Sequence, residues 1–386
     1  MLKILQTATV FDPAPRGLQH LLVAGSQIVW LGHEPPVLPA MLQVDTFDVG
    51  GRFVVPGLVD GHAHTTGGGG EAGYASRVPA PHLSQFVHAG VTTVVGLLGT
   101  DDTTRDTSQL LAATRTLRAE GMSAYCYTGG YRIPPVTFTG DVRSDIVNLD
   151  PVIGVGEIAI SDHRSSQPTY DELLRVASDA HVAGLMTGKA GVLHLHLGDG
   201  ERGLSLVRRA LAESELPGRV FNPTHCNRNP GLMAEAFELV GAGCTIDLTA
   251  FPVADDDIAC SAATALLRYL QSGLPADQIT ISSDGGGCLP VFDEQGQIVS
   301  ADTALPTSLL DTLREALQLG IELPEVLATM TANPSALLRL PAKGRLAAGM
   351  DADLLVLNDA YEVDAVMALG EWHLRDGEVL KQGTFE

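Results

Sequence analysis

Apolar residues along this chain gather in short runs, several of which end abruptly on a histidine or aspartate. Eight such runs stand out: Val54–His64, Val91–Leu98, Ser123–Gly129, Val152–Ile160, Val192–Gly198, Val220–His225, Cys244–Thr249 and Gln278–Asp284. They are β-branched or apolar for most of their length and read as strands. Ser108–Glu120, Thr169–Ala183, Gly203–Glu213, Gly231–Val240, Ile258–Ser272 and Thr307–Leu319 instead place apolar residues at three- and four-residue spacing, which predicts helices. Strands alternating with helices imply a parallel sheet. Eight units over ~250 residues have the size of a closed (β/α)8 TIM barrel.

The two ends of the chain break this pattern. Leu2–Thr9, Leu21–Ala24, Ile28–Leu31 and Val44–Val49 read as short strands with turns, and so do Gly344–Leu346, Ala352–Leu357, Val363–Leu369, Glu371–Leu374 and Glu378–Leu380. Neither end is long enough to bury a core alone. The expectation is an α/β chain in which residues 1–52 and 344–386 build one small β-sandwich domain, with the barrel inserted as residues 53–343.

With 386 residues the chain suits a barrel plus an appendage. Its 46 acidic and 24 basic residues give a net charge of -22, which argues against nucleic acid and anionic membranes as partners. No run approaches ~20 apolar residues, so no bilayer span is expected. The N-terminal Met-Leu-Lys-Ile-Leu-Gln lacks the apolar stretch and cleavage pattern of a secretory signal. The five cysteines are an odd number without a Cys-x-x-Cys pair, so a reducing, cytoplasmic setting is expected.

Candidate chemistry begins at His62-Ala-His64, where the first apolar run stops. Residues i and i+2 of a strand share a face, so two imidazoles there can hold one metal ion. In a barrel the C-terminal strand ends meet at one mouth. His62, His64, Glu157, His196, His225 and Asp284 all lie at or near such ends, so six potential ligands converge. His194, two residues before His196, reads as a core or supporting residue, and His163 and His181 as solvated or structural. Gly67–Gly70 ahead of Glu71 allows close backbone approach to a ligand; cradling of a phosphate is the rival, but no Lys-Ser/Thr follows. Arg164 and Arg228 follow the fourth and sixth strands, and planar guanidinium groups match carboxylates. Together they point to an acidic ligand.

Several segments together resemble the amidohydrolase superfamily and, within it, the isoaspartyl (β-aspartyl) dipeptidases. They are Val54-Val-Pro-Gly-Leu-Val-Asp-Gly-His-Ala-His64, Gly67-Gly-Gly-Gly-Glu-Ala-Gly73, Tyr127-Thr-Gly-Gly-Tyr131, Ala159-Ile-Ser-Asp-His-Arg164, Pro223-Thr-His-Cys-Asn-Arg-Asn229, Ser282-Ser-Asp-Gly-Gly-Gly287 and Gly349-Met-Asp-Ala-Asp-Leu-Leu-Val356. The resemblance spans nearly the whole chain. It implies a zinc-dependent barrel with a flanking β domain, a homo-oligomer, and hydrolysis of the β-peptide bond of isoaspartyl dipeptides by a metal-bound hydroxide.

On this resemblance His62, His64 and Asp284 hold one zinc ion, and His196 and His225 the second. Asp284 also takes the proton of the attacking hydroxide and passes it to the leaving amine; a loop-capping Asp is the plain alternative. Tyr131 donates to the oxyanion, unless it is a packing tyrosine. Glu71 binds the substrate's α-amino group, Arg164 and Arg228 its carboxylates, and Thr100 adds a polar contact. Two positions depart from the family pattern. Cys288 stands where relatives carry a serine that touches substrate. Glu157 stands where they carry a carboxylated lysine on strand four. The four lysines, at positions 3, 189, 343 and 381, are all elsewhere. Glu157 is therefore expected to bridge the two metals, and Gly156 to allow a bulge that brings it inward. The rival is a site with one tight metal and Glu157 ion-paired to Arg164 or another residue of the mouth. Two further readings remain: an amidohydrolase acting on another N-acyl or cyclic amide, and a metal-free scaffold relative.

Overall fold

The computed structural model describes residues 2–253, 258–292 and 298–386, so Met1, 254–257 and 293–297 of the domains expected above lie outside it. The N-terminal segment forms β1 (Leu2–Asp12), β2 (Ala14–Ala24), β3 (Gln27–Gly32), β4 (Val44–Asp48) and β5 (Phe53–Pro56). The next eight strands are β6 (Leu58–Ala63), β7 (Val91–Gly96), β8 (Ser123–Thr128), β9 (Val152–Ser161), β10 (Val192–Leu197), β11 (Phe221–Thr224), β12 (Ile246–Thr249) and β13 (Ile279–Ser282). A hairpin of β14 (Cys288–Phe292) and β15 (Ile298–Thr303) follows. The C-terminal segment adds β16 (Leu354–Leu357), β17 (Val363–Ala368), β18 (Glu371–Arg375) and β19 (Glu378–Val379).

β6 to β11 make a six-stranded parallel sheet in sequence order, and β12 pairs with β13 in parallel. This parallel sheet curls. Cys226 N donates to Asp247 O at 3.2 Å, tying the end of β11 to β12. Beyond β13, Asp284 N donates to His62 O at 3.1 Å and His64 N to Gly285 O at 2.8 Å, so the chain returns to the end of β6. Those two bonds place Asp284 beside the His62–His64 pair. Helices cover the outside, and one large core lies between them and the sheet: Val94, Ile158, Leu195, Leu248 and Ile281 meet Leu110, Leu173, Leu266 and Leu313.

The two ends of the chain share one nine-stranded sheet, in the order β19-β18-β17-β16-β5-β1-β2-β3, with β4 also paired to β1. The run Val54–His64 expected as one strand is thus divided. β5 joins the terminal sheet and β6 the parallel one, and the break falls at Gly57, whose N donates to Asp353 O. A Cβ at Gly57 would collide with Thr92, which fixes glycine at the crossing. β16 lies between two cores. Leu354 and Val356 pack into the terminal core with Leu5, Val10, Leu21 and Phe47, while Leu355 and Leu357 pack into the large one. The twofold period of a strand produces this alternation.

Candidate active site

β10 reads Val-Leu-His-Leu-His-Leu, and its leucines and histidines take opposite faces. Leu193, Leu195 and Leu197 enter the core under the helices. His194 and His196 are buried on the other side, where the histidines at the end of β6 also lie. On β9, Val155 pairs with Leu193 and Ile158 with Leu195, so three steps face two and Glu157 sits on a bulge. Gly156 permits the close approach: a Cβ there would lie 2.7 Å from His194 Cβ and 2.8 Å from His194 O. The peptide bond from Gly156 to Glu157 is cis.

The bulge sets Glu157 among four imidazoles. Its Oε2 is 3.1 Å from His196 Nδ1, 3.5 Å from His225 Nε2 and 3.7 Å from His62 Nε2; its Oε1 is 3.6 Å from His64 Nε2. Asp284 Oδ1 lies 3.0 Å from His64 Nε2 and 3.3 Å from His62 Nε2. His225 and Asp284 both have left-handed backbone, at φ 59° and 55°. Such a conformation costs ~1–3 kcal/mol and persists where the surroundings over-determine it. Here Arg228 N to His225 O and Gly287 N to Asp284 O close the two turns, at 3.0 and 2.8 Å.

Charge is concentrated in this buried space. Burial opposes ionisation of Glu157, but His62 and His196 hold its carboxyl well below the usual range. Asp284 is lowered by the same contest, with His62 and His64 outweighing burial. Burial disfavours the His62 cation, yet Glu157 and Asp284 raise it to about 9. Burial lowers His225 to about 3, although Glu157 pulls the other way. His62 Nε2 and Asp284 Oδ1 are buried with no hydrogen-bond partner. Buried polar atoms are seldom left so, and a shared cation satisfies both at once. The triads His62–His64–Asp284 and His62–Glu157–His225 each keep their ligand atoms within 4.8 Å of one another. Imidazole and carboxylate together suit zinc and other first-row divalent ions, so these residues fit such a metal.

Around this cluster stand the residues expected to meet substrate. Tyr131 OH is 2.9 Å from His196 Nδ1 and 3.1 Å from Nε2. Burial and the Glu157 charge raise its phenol well above the ordinary value, so it keeps its proton. Arg164 is more engaged than the sequence suggested. Its Nε and Nη2 donate to the two oxygens of Asp162 at 2.9 and 2.7 Å, and its Nη1 to Glu71 Oε1 at 3.3 Å. Glu157 therefore pairs with histidines and not with Arg164. Glu71 keeps Oε2 buried and unpartnered, as Arg228 keeps its Nε. Glu71 and Thr100 line a cavity of about 270 Å³ with Tyr74, Arg77 and Asp101. Cys288 is half-buried at the start of β14, its thiol pushed up to about 11 by burial and the Glu71 charge. The glycine run packs against the loop after β13: Gly68 N donates to Gly286 O at 2.8 Å, and a Cβ at Gly68 would lie 3.1 Å from Gly287 Cα. Backbone packing on backbone accounts for these glycines.

Sequence reasoning passed over Asp162, which also receives His196 Nε2 at 2.9 Å, and Asn222, 2.6 Å from His194 Nδ1. Both signals were present, since a buried polar residue needs a partner. Asn222 interrupts an apolar strand, and Asp162 lies two residues before Arg164. His194 Nε2 contacts His62 Nδ1 at 2.8 Å, a supporting position. His163 pairs with Asp199 on the surface, and His181 lies on the helix Tyr170–Thr187 beside Arg219.

The amidohydrolase family model matches residues 53–373. The chain belongs to the amidohydrolase family. Among solved amidohydrolase relatives, a β-aspartyl dipeptidase from the thermophilic, keratin-degrading Fervidobacterium islandicum AW-1, in complex with β-Asp-Leu dipeptide, is 40% identical. The match covers 100% of both chains, with a TM-score of 0.93. The imidazolonepropionase of Paracoccus denitrificans is 24% identical over 387 residues, 91% of this chain and 90% of that protein. An L-hydantoinase from Arthrobacter aurescens, 18% identical with a TM-score of 0.69, shares the fold. This amidohydrolase is a dipeptidase-like hydrolytic enzyme. Among its described residues no helix is long and apolar enough to cross a membrane.

Proposed function

We propose that this enzyme hydrolyses the β-peptide bond of isoaspartyl dipeptides at two divalent metal ions, zinc first among the candidates. His62, His64 and Asp284 would hold one, His196 and His225 the other, and Glu157 would bridge them. Such ions supply an acidified water and a polarised carbonyl. Arg228, with its unpaired buried Nε, takes a substrate carboxylate. Glu71, with its unpaired Oε2, takes the ammonium group. Arg164 turns its remaining N–H groups toward the second carboxylate, Thr100 adds a polar contact, and Cys288 sits where the dipeptide passes. Tyr131, protonated at neutral pH, donates to the oxygen on which negative charge develops. The Asp284 carboxylate takes the water proton and returns it to the leaving amine. Residues 57–343 would form a closed (β/α)8 barrel, 1–56 and 344–386 the β domain beside it, and several copies a homo-oligomer.

The full-length 40% identity to a chain solved with β-Asp-Leu carries this reading. A second reading, hydrolysis of a cyclic amide, is favoured by the likeness to imidazolonepropionase, whose name denotes an imidazolone ring. Metal-analysed protein assayed on β-Asp-Leu, N-acyl amino acids and imidazolones separates the two. We expect turnover of β-Asp-Leu with roughly two metals per chain, and a clear loss of metal in Glu157→Gln. Turnover of imidazolones without turnover of β-Asp-Leu would transfer the assignment to the second reading.

A further inference from the structure

A chain of side chains runs from the backbone of one strand connection to His62. Asn222 Nδ2 donates to Thr245 O at 2.8 Å. That carbonyl can only accept, so it fixes which way the amide points. Asn222 Oδ1 therefore faces His194 Nδ1, at 2.6 Å. His194 Nε2 in turn faces His62 Nδ1, at 2.8 Å. All three side chains are buried, and Tyr127 stacks on the His194 ring at 5.1 Å and 26°. Gly156 lets β9 approach the His194 backbone and Cβ closely from the other side.

The order of protons follows from the acceptor at the far end. A side-chain amide oxygen accepts, so His194 Nδ1 must carry a hydrogen. A neutral imidazole with its hydrogen on Nδ1 has a lone pair on Nε2. That lone pair requires a hydrogen on His62 Nδ1, so the neutral His62 ring has its lone pair on Nε2. His62 Nε2 is the atom that faces Asp284 Oδ1 at 3.3 Å and Glu157 Oε2 at 3.7 Å. With the hydrogen on Nε2 instead, the ring could not ligate there.

We propose that Asn222, acting through His194, is a positioning residue that holds His62 in the one tautomer able to bind a metal ion through Nε2. The relay keeps hydrogen on Nδ1 whether the ring is charged or neutral, so an arriving ion has only the Nε2 hydrogen to displace and no tautomer to reverse. It rests on His62 being a ligand, as read above. Outer partners of metal-bound histidines fix tautomer and orientation, and their loss typically costs ~10–100-fold in affinity. Here the outer partner is a second histidine, whose own tautomer is set one bond further out.

Two variants separate this role from plain packing. Asn222→Leu removes both the acceptor for His194 and the bond to Thr245 O. Asn222→Asp loses the same bond to Thr245 O but still accepts from His194 Nδ1. Zinc affinity is measured on the full chain by competition with a chromophoric chelator, with circular dichroism and thermal unfolding as checks on the fold. The expected result is a ~10–100-fold weaker affinity in Asn222→Leu and near wild-type affinity in Asn222→Asp. Wild-type affinity in Asn222→Leu, or equal weakening in both, would overturn the proposal. If Asn222→Leu does not fold, solid-state 15N NMR of the histidine-labelled wild-type chain decides. Hydrogen on His62 Nδ1, bonded to His194 Nε2, is expected whether the ring is neutral or charged, and a His62 Nδ1 without hydrogen overturns the relay. That spectrum is read without added metal, so it stands even if the protein binds no zinc and the functional reading fails.

Discussion

Arg164 and Arg228 flank one site with unequal freedom. Asp162 takes two N–H groups of Arg164, and Glu71 a third, while among the described residues no side chain pairs with the Arg228 guanidinium. Replacing each by methionine should therefore give different results. Arg228→Met should lower kcat/KM on β-Asp-Leu roughly tenfold or more, the loss of a charged hydrogen bond worth ~1.5–3 kcal/mol, with metal content and melting temperature unchanged. Arg164→Met leaves Asp162 buried beside His196 without its cation, and stranding a buried charge costs ~3–5 kcal/mol. Steady-state kinetics and thermal unfolding of both variants check this; equal melting temperatures would show that Asp162 does not depend on Arg164. The sequence made both arginines visible because they follow strand ends. It could not show that one was already paired to Glu71, which belongs to a separate loop and meets Arg164 only in space, while Asp162, two residues before Arg164, was passed over. The histidines and Asp284 stood out for the opposite reason: each lies at or near the end of an apolar run, and the curl of the sheet brings such ends together.

Among the elements, the eight parallel strands could be read from their apolar runs, with boundaries displaced by a few residues. Ile258–Ser272 was expected as one helix, but the helix spans Ala262–Gln271 because Ser261 caps it, accepting from Thr264 N. The helices Leu83–His88 and Val142–Asn148 are too short to show a period, and the hairpin β14–β15 carries no two-residue turn signal. β9 is the element on which the site depends most. Its bulge carries Glu157 inward, and Gly156 is the residue that lets β9 meet β10 so closely. Gly156→Ala would place a methyl carbon 2.7 Å from His194 Cβ. Overpacking of this kind costs ~1–3 kcal/mol. We expect a lower melting temperature together with loss of bound metal, since any retreat of β9 withdraws Glu157 from the histidines. Full metal content in Gly156→Ala would mean that the bulge is not what places the carboxylate.

At the scale of the molecule, the short strands read at both ends lie in one sheet, which also takes Phe53–Pro56 from the segment assigned to the barrel. β16 joins the two cores, with alternate residues in each. Leu355→Ala opens a cavity in the large core and should cost ~2–5 kcal/mol. Because β16 also holds the terminal sheet, the whole chain is expected to melt earlier in a single transition by differential scanning calorimetry. Two resolved transitions would show that the terminal sheet and the curled sheet unfold independently.

That pairing also bears on how the protein is made. β5 finds its neighbour β16 roughly 300 residues later in the chain. At ribosomal speeds of ~5–20 residues per second, β16 emerges about 15–60 s after β5. For that interval β5 has a bare edge, with the apolar side chains that will meet β16 still uncovered. Such an edge is a template for pairing with another nascent chain. Contacts so distant in sequence are also slow to form. The nascent chain is therefore most exposed to mispairing late in synthesis, when most of its parallel strands already exist and the terminal sheet is still half built.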